Sequence, residues 1–293
     1  MPDKKLKRLP AGALKNFVDA GKSTTRVISK VERFVLSQPI DNSRSFDGLH
    51  PSAMVSPYWC HRASYFHLKG NHPTAEARQF KRELIFAQGH GIHATWQNWF
   101  RDMGKLYGVW ECKHPDKEQR HQFWALSPNE CEVCGLPVKY KEVPVENAEL
   151  MITGHSDGWL KGFGDDLMLE IKSVGAGTFM WYDRSNWFAS DQNFEEAWKN
   201  LKAPFETHVA QVQLYMKVLE LSGRTDVPQE AVLIYEAKPT QDVKEFIVRK
   251  DGWAIQPIID GAKLVVDSLS RNIAPDCNVG GALKCKQCGG FNE

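Results

Sequence analysis

Three ionisable side chains in the segment 154–172 have the types and spacing needed for metal-assisted chemistry: Asp157, Glu170 and Lys172. The glycines in 162–165 predict a tight turn between two short strands, because glycine accepts positive φ without steric cost. Alternation along the second strand places Glu170 and Lys172 on one face, next to Asp157 from the first strand. Charged groups that leave water cost roughly several kcal/mol each unless they are paired or bind a metal. The segment therefore predicts a hard-cation site with a lysine beside it, and a surface salt bridge is the plainer alternative.

The periodicity of the flanking sequence predicts the elements that position these residues. Their order is helix, strand, strand, helix, strand, strand, helix, which is typical of an α/β fold with a central mixed sheet flanked by helices. The predicted helices are 25–36, one that starts at Pro57 with Ser56 as its N-cap, 83–101, 205–221 and 252–270, and the predicted strands lie within 148–174 and at 230–237 and 243–249.

The bulk composition is that of a water-soluble globular protein. The chain has 293 residues and a net charge of +1, with 42% hydrophobic and 25% charged residues. No apolar run approaches the roughly 20 residues of a membrane helix, and no apolar stretch follows the basic N-terminus as in a secretory signal. We therefore expect a cytoplasmic protein with no membrane partner. Its seven cysteines favour metal ligation over disulfides in such a reducing compartment.

Positive charge concentrates at the N-terminus, where residues 1–34 hold nine Lys or Arg against three acids. Such an arm is suited to contact phosphates, and a solvated tail is the alternative. Changes in composition predict a basic arm (1–50), a helical part (51–107), a zinc-ribbon-like insert (108–146), a core (147–270) and a cysteine-rich tail (271–293).

The order and spacing of the charged residues resemble the PD-(D/E)xK nuclease superfamily. Gly-His-Ser-Asp at 154–157 and Glu-Ile-Lys at 170–172 are similar to the core of its RecB-like exonucleases. The segment 211–215 has the Q-x3-Y pattern of that branch, and the segment 89–93 has the G-x3-H pattern of its metal-binding histidine. The resemblance covers roughly residues 52–288 and implies a restriction-endonuclease-like core.

The resemblance implies a site for Mg²⁺ or Mn²⁺. Its ligands would be Asp157, Glu170, Ile171 (through the backbone carbonyl) and His93. Carboxylate oxygens suit both ions, whereas an imidazole nitrogen favours Mn²⁺. Lys172 would orient the attacking water or stabilise the developing charge. For His93, the alternative is a histidine satisfied at the edge of an apolar helix face.

The same resemblance implies an exonuclease that acts on single-stranded or end-bearing DNA in recombination, repair or replication. Gln211 and Tyr215 would support the site and the scissile strand, and a polar stripe on a half-buried helix is their alternative. The chain has no helicase motif, so a helicase or recombination protein is a candidate partner. A nucleic-acid-binding module with a vestigial site and an RNA nuclease are the competing functions.

Four cysteines resemble the iron–sulfur ligands of AddB-type and CRISPR-associated nucleases, in which one cysteine precedes the core and three follow it. They are Cys60, Cys277, Cys285 and Cys288. A [4Fe–4S] cluster is implied, with Zn²⁺ as the competing metal, since thiolates bind either. The spacing of the last three departs from the group, in which the C-x2-C pair comes first.

The remaining cysteines predict a Zn²⁺ site in the insert. They are Cys112, Cys131 and Cys134, and the fourth ligand must be a histidine, for which we choose His114 with His121 as the alternative. A rival pairing joins the C-x2-C units 131/134 and 285/288 in one site.

The segment 175–205 is aromatic and weakly periodic, which predicts a flap near the site. Its aromatic residues would either stack on unpaired bases or pack the flap onto its own domain: Phe179, Trp181, Trp187, Phe188 and Trp198.

Overall fold

The structure is a computed structural model that describes residues 27–39, 48–71, 77–252 and 254–279. The chain divides into two compact units, 1–40 with 77–84 and 41–76 with 85–293. In the first unit, Arg78 donates to the backbone carbonyl of Gln38 (2.9 Å). Most of the predicted basic arm lies outside the described residues. Helix α1 (Ile28–Ser37) and the first residues of α4 (Phe80–Asp102) belong to the first unit, and the sheet and the candidate sites described below belong to the second.

Helices and strands follow one another in blocks along the described chain. The helices are α1 (Ile28–Ser37), α2 (Pro51–Met54), α3 (His61–Leu68), α4 (Phe80–Asp102), α5 (Ala176–Tyr182), α6 (Arg184–Ala189), α7 (Phe194–Asn200), α8 (Glu206–Leu221) and α9 (Gln256–Arg271). The strands are β1 (Leu106–Cys112), β2 (Gln122–Leu126), β3 (Val138–Tyr140), β4 (Val143–Asn147), β5 (Ile152–Ser156), β6 (Gly158–Leu160), β7 (Leu167–Val174), β8 (Glu230–Ala237) and β9 (Val243–Arg249). The blocks are α1 to α4, β1 to β7, α5 to α8, β8 and β9, and α9.

A mixed seven-stranded sheet forms the centre of the fold. Its strand order is β2-β1-β6-β7-β8-β9, and β3 also pairs with β1. Among the described strands of this sheet, β7 and β8 pair in parallel and the other pairs are antiparallel. Strands β4 and β5 form a separate antiparallel pair. The sheet contains a parallel pair because α5 to α8 intervene between β7 and β8, which makes the crossover that parallel neighbours require.

Helices cover both faces of the sheet. Met168 and Val174 of β7 belong to one apolar cluster, together with buried residues of α8 and α9. Leu169 and Ile171 belong to a second cluster, together with Ile92 and Phe100 of α4. The polar residues of β7 are Glu170 and Lys172, which lie on the α8 face, and Ser173 on the other face.

Most of the predicted elements are confirmed. Strands β8 and β9 have the predicted bounds, and α4, α8 and α9 lie at the predicted helices. The helix predicted from Pro57 is wrong, because the chain forms α2 with Pro51 in its first turn and then α3, which is capped by the Cys60 sulfur. Strands β1 to β3, which fall mostly in the predicted insert 108–146, belong to the central sheet.

The three-residue strand β6 leaves part of β7 without a neighbour. Pairing with β7 extends only from Gly158 opposite Leu169 to Leu160 opposite Leu167. A Cβ at Gly158 would lie 2.6 Å from Leu106 Cδ1 and 2.7 Å from the Tyr140 hydroxyl, so β6 needs glycine at this close approach. The backbone of β7 beyond Leu169 is therefore open to side chains from other elements.

Candidate active site

Asp157 lies between β5 and β6, where the chain passes from the β4–β5 pair into the central sheet. Its side chain is buried, with a relative exposure of 7% for the residue. Its Oδ2 accepts a hydrogen bond from the backbone N–H of Ile171 at 2.5 Å. Because β6 does not extend beside Ile171, this carboxylate supplies the acceptor that a neighbouring strand would otherwise provide.

Helix α4 contributes two side chains that contact Asp157. His93 Nδ1 lies 3.0 Å from Asp157 Oδ1. Gln97, one turn later, donates to the Asp157 backbone carbonyl at 3.1 Å. Burial lowers the pKa of His93, but the hydrogen bond to Asp157 and its charge raise it by more, so the net shift is upward. The predicted His93 and Asp157 are therefore in direct contact.

Lys172 connects the second carboxylate to helix α8. Its Nζ donates to Glu170 Oε1 at 2.7 Å and to Gln211 Oε1 at 2.9 Å. Gln211 Nε2 in turn donates to the Tyr215 hydroxyl at 2.6 Å. Glu170, Gln211 and Tyr215 are all buried. The i, i+4 pair on α8 thus fixes the position of the ammonium group.

The environment of this pair is short of positive charge. Burial raises the pKa of Glu170, and the Lys172 ammonium offsets only part of that shift. Burial lowers the pKa of Lys172, but the adjacent Glu170 raises it by more. Lys172 therefore stays protonated at neutral pH. A further cation nearby would favour the ionised form of Glu170.

A third carboxylate, Glu142, was missed by the sequence reasoning. Val143 of β4 pairs with Ser156 of β5, so Glu142 and Asp157 are the next residues of that register. Gln97 Nε2 lies 3.5 Å from Glu142 Oε1. Burial, followed by the charge of Asp157, raises the pKa of Glu142. The feature that reveals Glu142 is the pairing of β4 with β5, which places it opposite Asp157.

The donor set fits a divalent cation. Glu170 Oε2 is buried and has no hydrogen-bond partner among the described residues, and an unpaired buried oxygen is costly unless it binds an ion or water. Three carboxylates face one ammonium and one imidazole. His93, Asp157 and Glu170 are nevertheless not a group whose ligand atoms all lie within 4.8 Å of one another in the described chain. Side-chain rotation would therefore have to accompany their joint ligation of one ion.

The cysteine–histidine group of the predicted insert does meet that spacing. Cys112, His121, Cys131 and Cys134 have one ligand atom each, all within 4.8 Å of one another. His121 Nδ1 lies 3.7 Å from both the Cys112 and the Cys131 sulfur.

The choice of His114 is corrected to His121. His114 Nδ1 lies 3.2 Å from the Asp116 backbone N–H and takes no part in the group. Burial raises the pKa of Cys112, but N–H donors of His121 and His114 lower it by more, to about 6. Cys112 is therefore a ready thiolate at neutral pH.

The other predicted cysteine site is only partly described. Cys60 is buried in a small apolar cluster with Ala63 and Val279, and Cys277 packs against it. Asn278 accepts from the His61 N–H (2.9 Å) and donates to the Trp59 carbonyl (2.8 Å), on either side of Cys60. Cys285 and Cys288 lie outside the described residues.

The predicted flap forms α5, α6 and α7. Phe179, Trp187 and Trp198 are buried, so the idea that they stack on bases is wrong and the packing alternative holds. Trp181 and Phe188 are 72% and 50% exposed. The flap thus packs onto its own domain and leaves two of the five rings singled out from the sequence in solvent.

Comparisons with known proteins give similarity in fold only. No family model matches the chain, and no curated protein matches it. Among solved structures, SSO0001 matches at 12% identity and a TM-score of 0.34, covering 82% of each chain. LHK-Exo in complex with dAMP matches at 11% and 0.42, covering 78% of this chain and 90% of the other. The alkaline exonuclease LHK-Exo from Laribacter hongkongensis matches at 12% and 0.41, covering 78% and 91%.

Among the described residues, no helix is both long enough and apolar enough to span a bilayer.

A buried histidine next to the site makes stability depend on pH. His208 Nδ1 lies 2.7 Å from the Tyr235 hydroxyl. Burial first, and then the Lys172 charge, hold the pKa of His208 far below its ordinary value. Because the unfolded chain binds this proton below about pH 6.5 and the folded chain does not, the contribution of His208 to stability is lost as the pH falls.

We expect His208→Asn, which keeps a polar group near the Nδ1 position, to abolish this pH dependence. Below about pH 6.5, the free energy of unfolding of the wild type should fall relative to the variant by up to about 1.4 kcal/mol per pH unit. Urea unfolding at about pH 7.5, 6 and 5 measures the difference. Parallel pH profiles for the two proteins would contradict the prediction.

Proposed function

We propose that this chain is a divalent-metal-dependent nuclease that hydrolyses phosphodiester bonds of DNA, and that it acts as an exonuclease on single-stranded or end-bearing substrates. The observation that carries the proposal is the convergence of Asp157, Glu170 and Lys172, in which Glu170 retains an unpaired buried oxygen. Together with Glu142, these residues place three carboxylates around one lysine, and carboxylates held out of water with too little positive charge are costly for a purely structural site. A cation and a phosphate supply the missing partners.

The proposed ligands are Asp157, Glu170, His93 and the Ile171 carbonyl, with Mg²⁺ or Mn²⁺ as the ion. Such an ion supplies a water of lowered pKa and positive charge against the phosphate. Asp157 is held by the Ile171 N–H and by α4, so one of its oxygens already has a fixed direction. Glu142 is a further acidic group next to Asp157.

Lys172 acts as a cation and donor, since its pKa is raised and it does not serve as a base. In hydrolysis, the oxygen of water forms a bond to phosphorus, the bond to the leaving sugar oxygen breaks, and that oxygen takes up a proton. Negative charge on the phosphate oxygens grows during this step, and an ammonium fixed nearby stabilises it. Gln211 and Tyr215 hold Lys172 in place through two hydrogen bonds.

The two sulfur sites have structural roles in this proposal. Cys112, His121, Cys131 and Cys134 would bind Zn²⁺ in a closed four-ligand site, as structural zinc does. Cys60 and Cys277 with Cys285 and Cys288 would bind a [4Fe–4S] cluster. Support for the cluster comes from Asn278, which ties the segment after α9 to the backbone on both sides of Cys60.

Removal of the central charges tests the nuclease. We expect Asp157→Asn and Lys172→Met each to lower the cleavage rate of a single-stranded DNA in Mn²⁺ by at least about 100-fold, because the first weakens a proposed metal ligand and the second removes the ammonium that stabilises the transition state. Asp166→Asn and Lys161→Met alter a half-exposed ion pair on the same hairpin and should stay within about twofold of the wild type.

Substrate form separates the alternatives in the same assay. Closed single-stranded circles should resist cleavage, whereas linear strands and duplex ends should be cut. Cleavage that survives Asp157→Asn and Lys172→Met would refute the mechanism. Binding of DNA without any cleavage in the wild type would favour a vestigial site, and faster cleavage of RNA would assign the activity to RNA.

The zinc assignment is tested by two histidines of the same segment. We expect His121→Ala to lower the zinc content per chain well below the value of the wild type after dialysis against a mild chelator, because it removes one of four ligands. His114→Ala should retain the zinc, since its ring contacts the Asp116 backbone instead. Elemental analysis measures both. Loss of zinc in His114→Ala, or its retention in His121→Ala, would overturn the assignment.

The cluster assignment has a matched pair of cysteine variants. Anaerobically purified protein should be brown and hold about four iron and four sulfide per chain. Cys60→Ser should lose the iron and keep the zinc, and Cys112→Ser should lose the zinc and keep the iron. A colourless wild-type protein that contains zinc alone would contradict the cluster.

A further inference from the structure

A cavity adjoins the ammonium group of Lys172. It has a volume of about 400 Å³, and Lys172 and Gln211 form part of its wall. The rest of the wall comes from the segment after α2, the end of α5 and the first turn of α8. We call it the aromatic cavity, after the residues Tyr58, Trp181 and Tyr182 that line it.

The size of the aromatic cavity limits what can enter it. Pockets for single small molecules measure roughly 300–1,000 Å³, and this one is near the lower limit. One nucleotide therefore matches it, whereas a stretch of paired duplex does not. Because Lys172 is part of the wall, whatever enters lies next to the group that faces the phosphate in the proposed reaction.

The aromatic rings in the wall have the exposure of a stacking surface. Trp181 is 72% exposed, Tyr58 41% and Tyr182 43%. Large rings in solvent beside a buried charged site indicate a binding role, because the same flap buries Trp187 and Trp198. Tyr182 packs edge-on against His208, which fixes one ring of the surface. Every nucleobase presents a flat face that such rings can cover.

The polar groups of the wall favour a nucleoside over a second phosphate. Thr207 Oγ1 is buried, and in the described chain it has no hydrogen-bond partner. Glu206, in the same turn of α8, is an acid that lines the cavity. Its negative charge disfavours a phosphate at this helix N-terminus, whereas a base edge or a sugar hydroxyl can pair with the Thr207 hydroxyl.

We propose that the aromatic cavity receives the unpaired nucleoside adjoining the scissile phosphate, with its base against Trp181 and a polar edge at Thr207. This inference rests on the proposed nuclease function and adds a requirement to it: the strand must be unpaired at the cleavage point. A duplex end is then a substrate only where its terminal pair opens.

Binding without turnover tests the cavity separately from the chemistry. A short single-stranded DNA with 2-aminopurine at its terminal nucleotide is titrated with the full-length protein in Ca²⁺ and, separately, in EDTA. We expect the fluorescence to be quenched as the base stacks. Trp181→Ala should lose most of the quenching and weaken binding by about 5- to 150-fold, equivalent to roughly 1–3 kcal/mol for one stacked base.

Matched variants distinguish stacking from a general surface effect. Trp181→Phe keeps a ring and should retain most of the quenching. Thr207→Val keeps the shape but lacks the hydroxyl, and should weaken binding several-fold with quenching preserved. Phe188→Ala removes a ring that is also exposed on the flap but does not line the cavity, and it should bind as the wild type does.

The outcomes separate this inference from the proposed function. Equal quenching and affinity in the wild type and Trp181→Ala would overturn the cavity assignment, even if cleavage depends on Asp157 and Lys172. Equal binding of a duplex whose terminal 2-aminopurine stays paired would overturn it as well. Quenching that depends on Trp181 in a protein that cleaves nothing would support the cavity and reject the nuclease.

Discussion

The backbone N–H of Ile171 must find an acceptor at a place where the sheet has no strand to offer one. Asp157 provides it through a side-chain oxygen, and this bond fixes both the carboxylate and the exit of the chain from β5. The shortness of β6 belongs to the same arrangement, because a longer strand would cover the β7 edge. The candidate site thus exists where the sheet is left incomplete.

The burial of the carboxylates then determines which ligands the open edge of β7 can bind. Glu170 on the sheet and Glu142 on the neighbouring pair both have raised pKa values, chiefly because they are removed from water. The histidine from α4 and the lysine from β7 offset only part of this charge. Positive charge delivered from outside lowers the free energy of the folded protein as well as that of its complex. A cation bound at this site would therefore also stabilise the fold.

Local sequence patterns predicted the positions of the helices and strands better than they predicted which residues contact each other. Alternation and apolar runs were sufficient to predict the bounds of β8 and β9. The first is an interior strand of the central sheet, and the second is its edge strand. The helix expected at Pro57 failed because two prolines, at 51 and 57, offered competing starts, and the Cys60 sulfur capped the next helix instead.

Long-range geometry accounts for the site features that spacing did not reveal. His114 and His121 are both near Cys112 in sequence, and only the return of β2 alongside β1 brings His121 to the sulfurs. Glu142 depends on the register between β4 and β5 in the same way. The proximity of the motif residues was predictable, because Asp157 directly precedes β6, and Glu170 and Lys172 lie on β7, its partner in the hairpin.

The two ends of strand β1 lie near the two different candidate sites. Cys112 ends it within the sulfur group, and Leu106 and Tyr107 at its start pair with β6, whose first residue follows Asp157. Oxidation of a thiol at one end would therefore loosen the strand that supports the carboxylate edge at the other. Oxidation of these thiols would then affect the candidate site from the far end of a supporting strand.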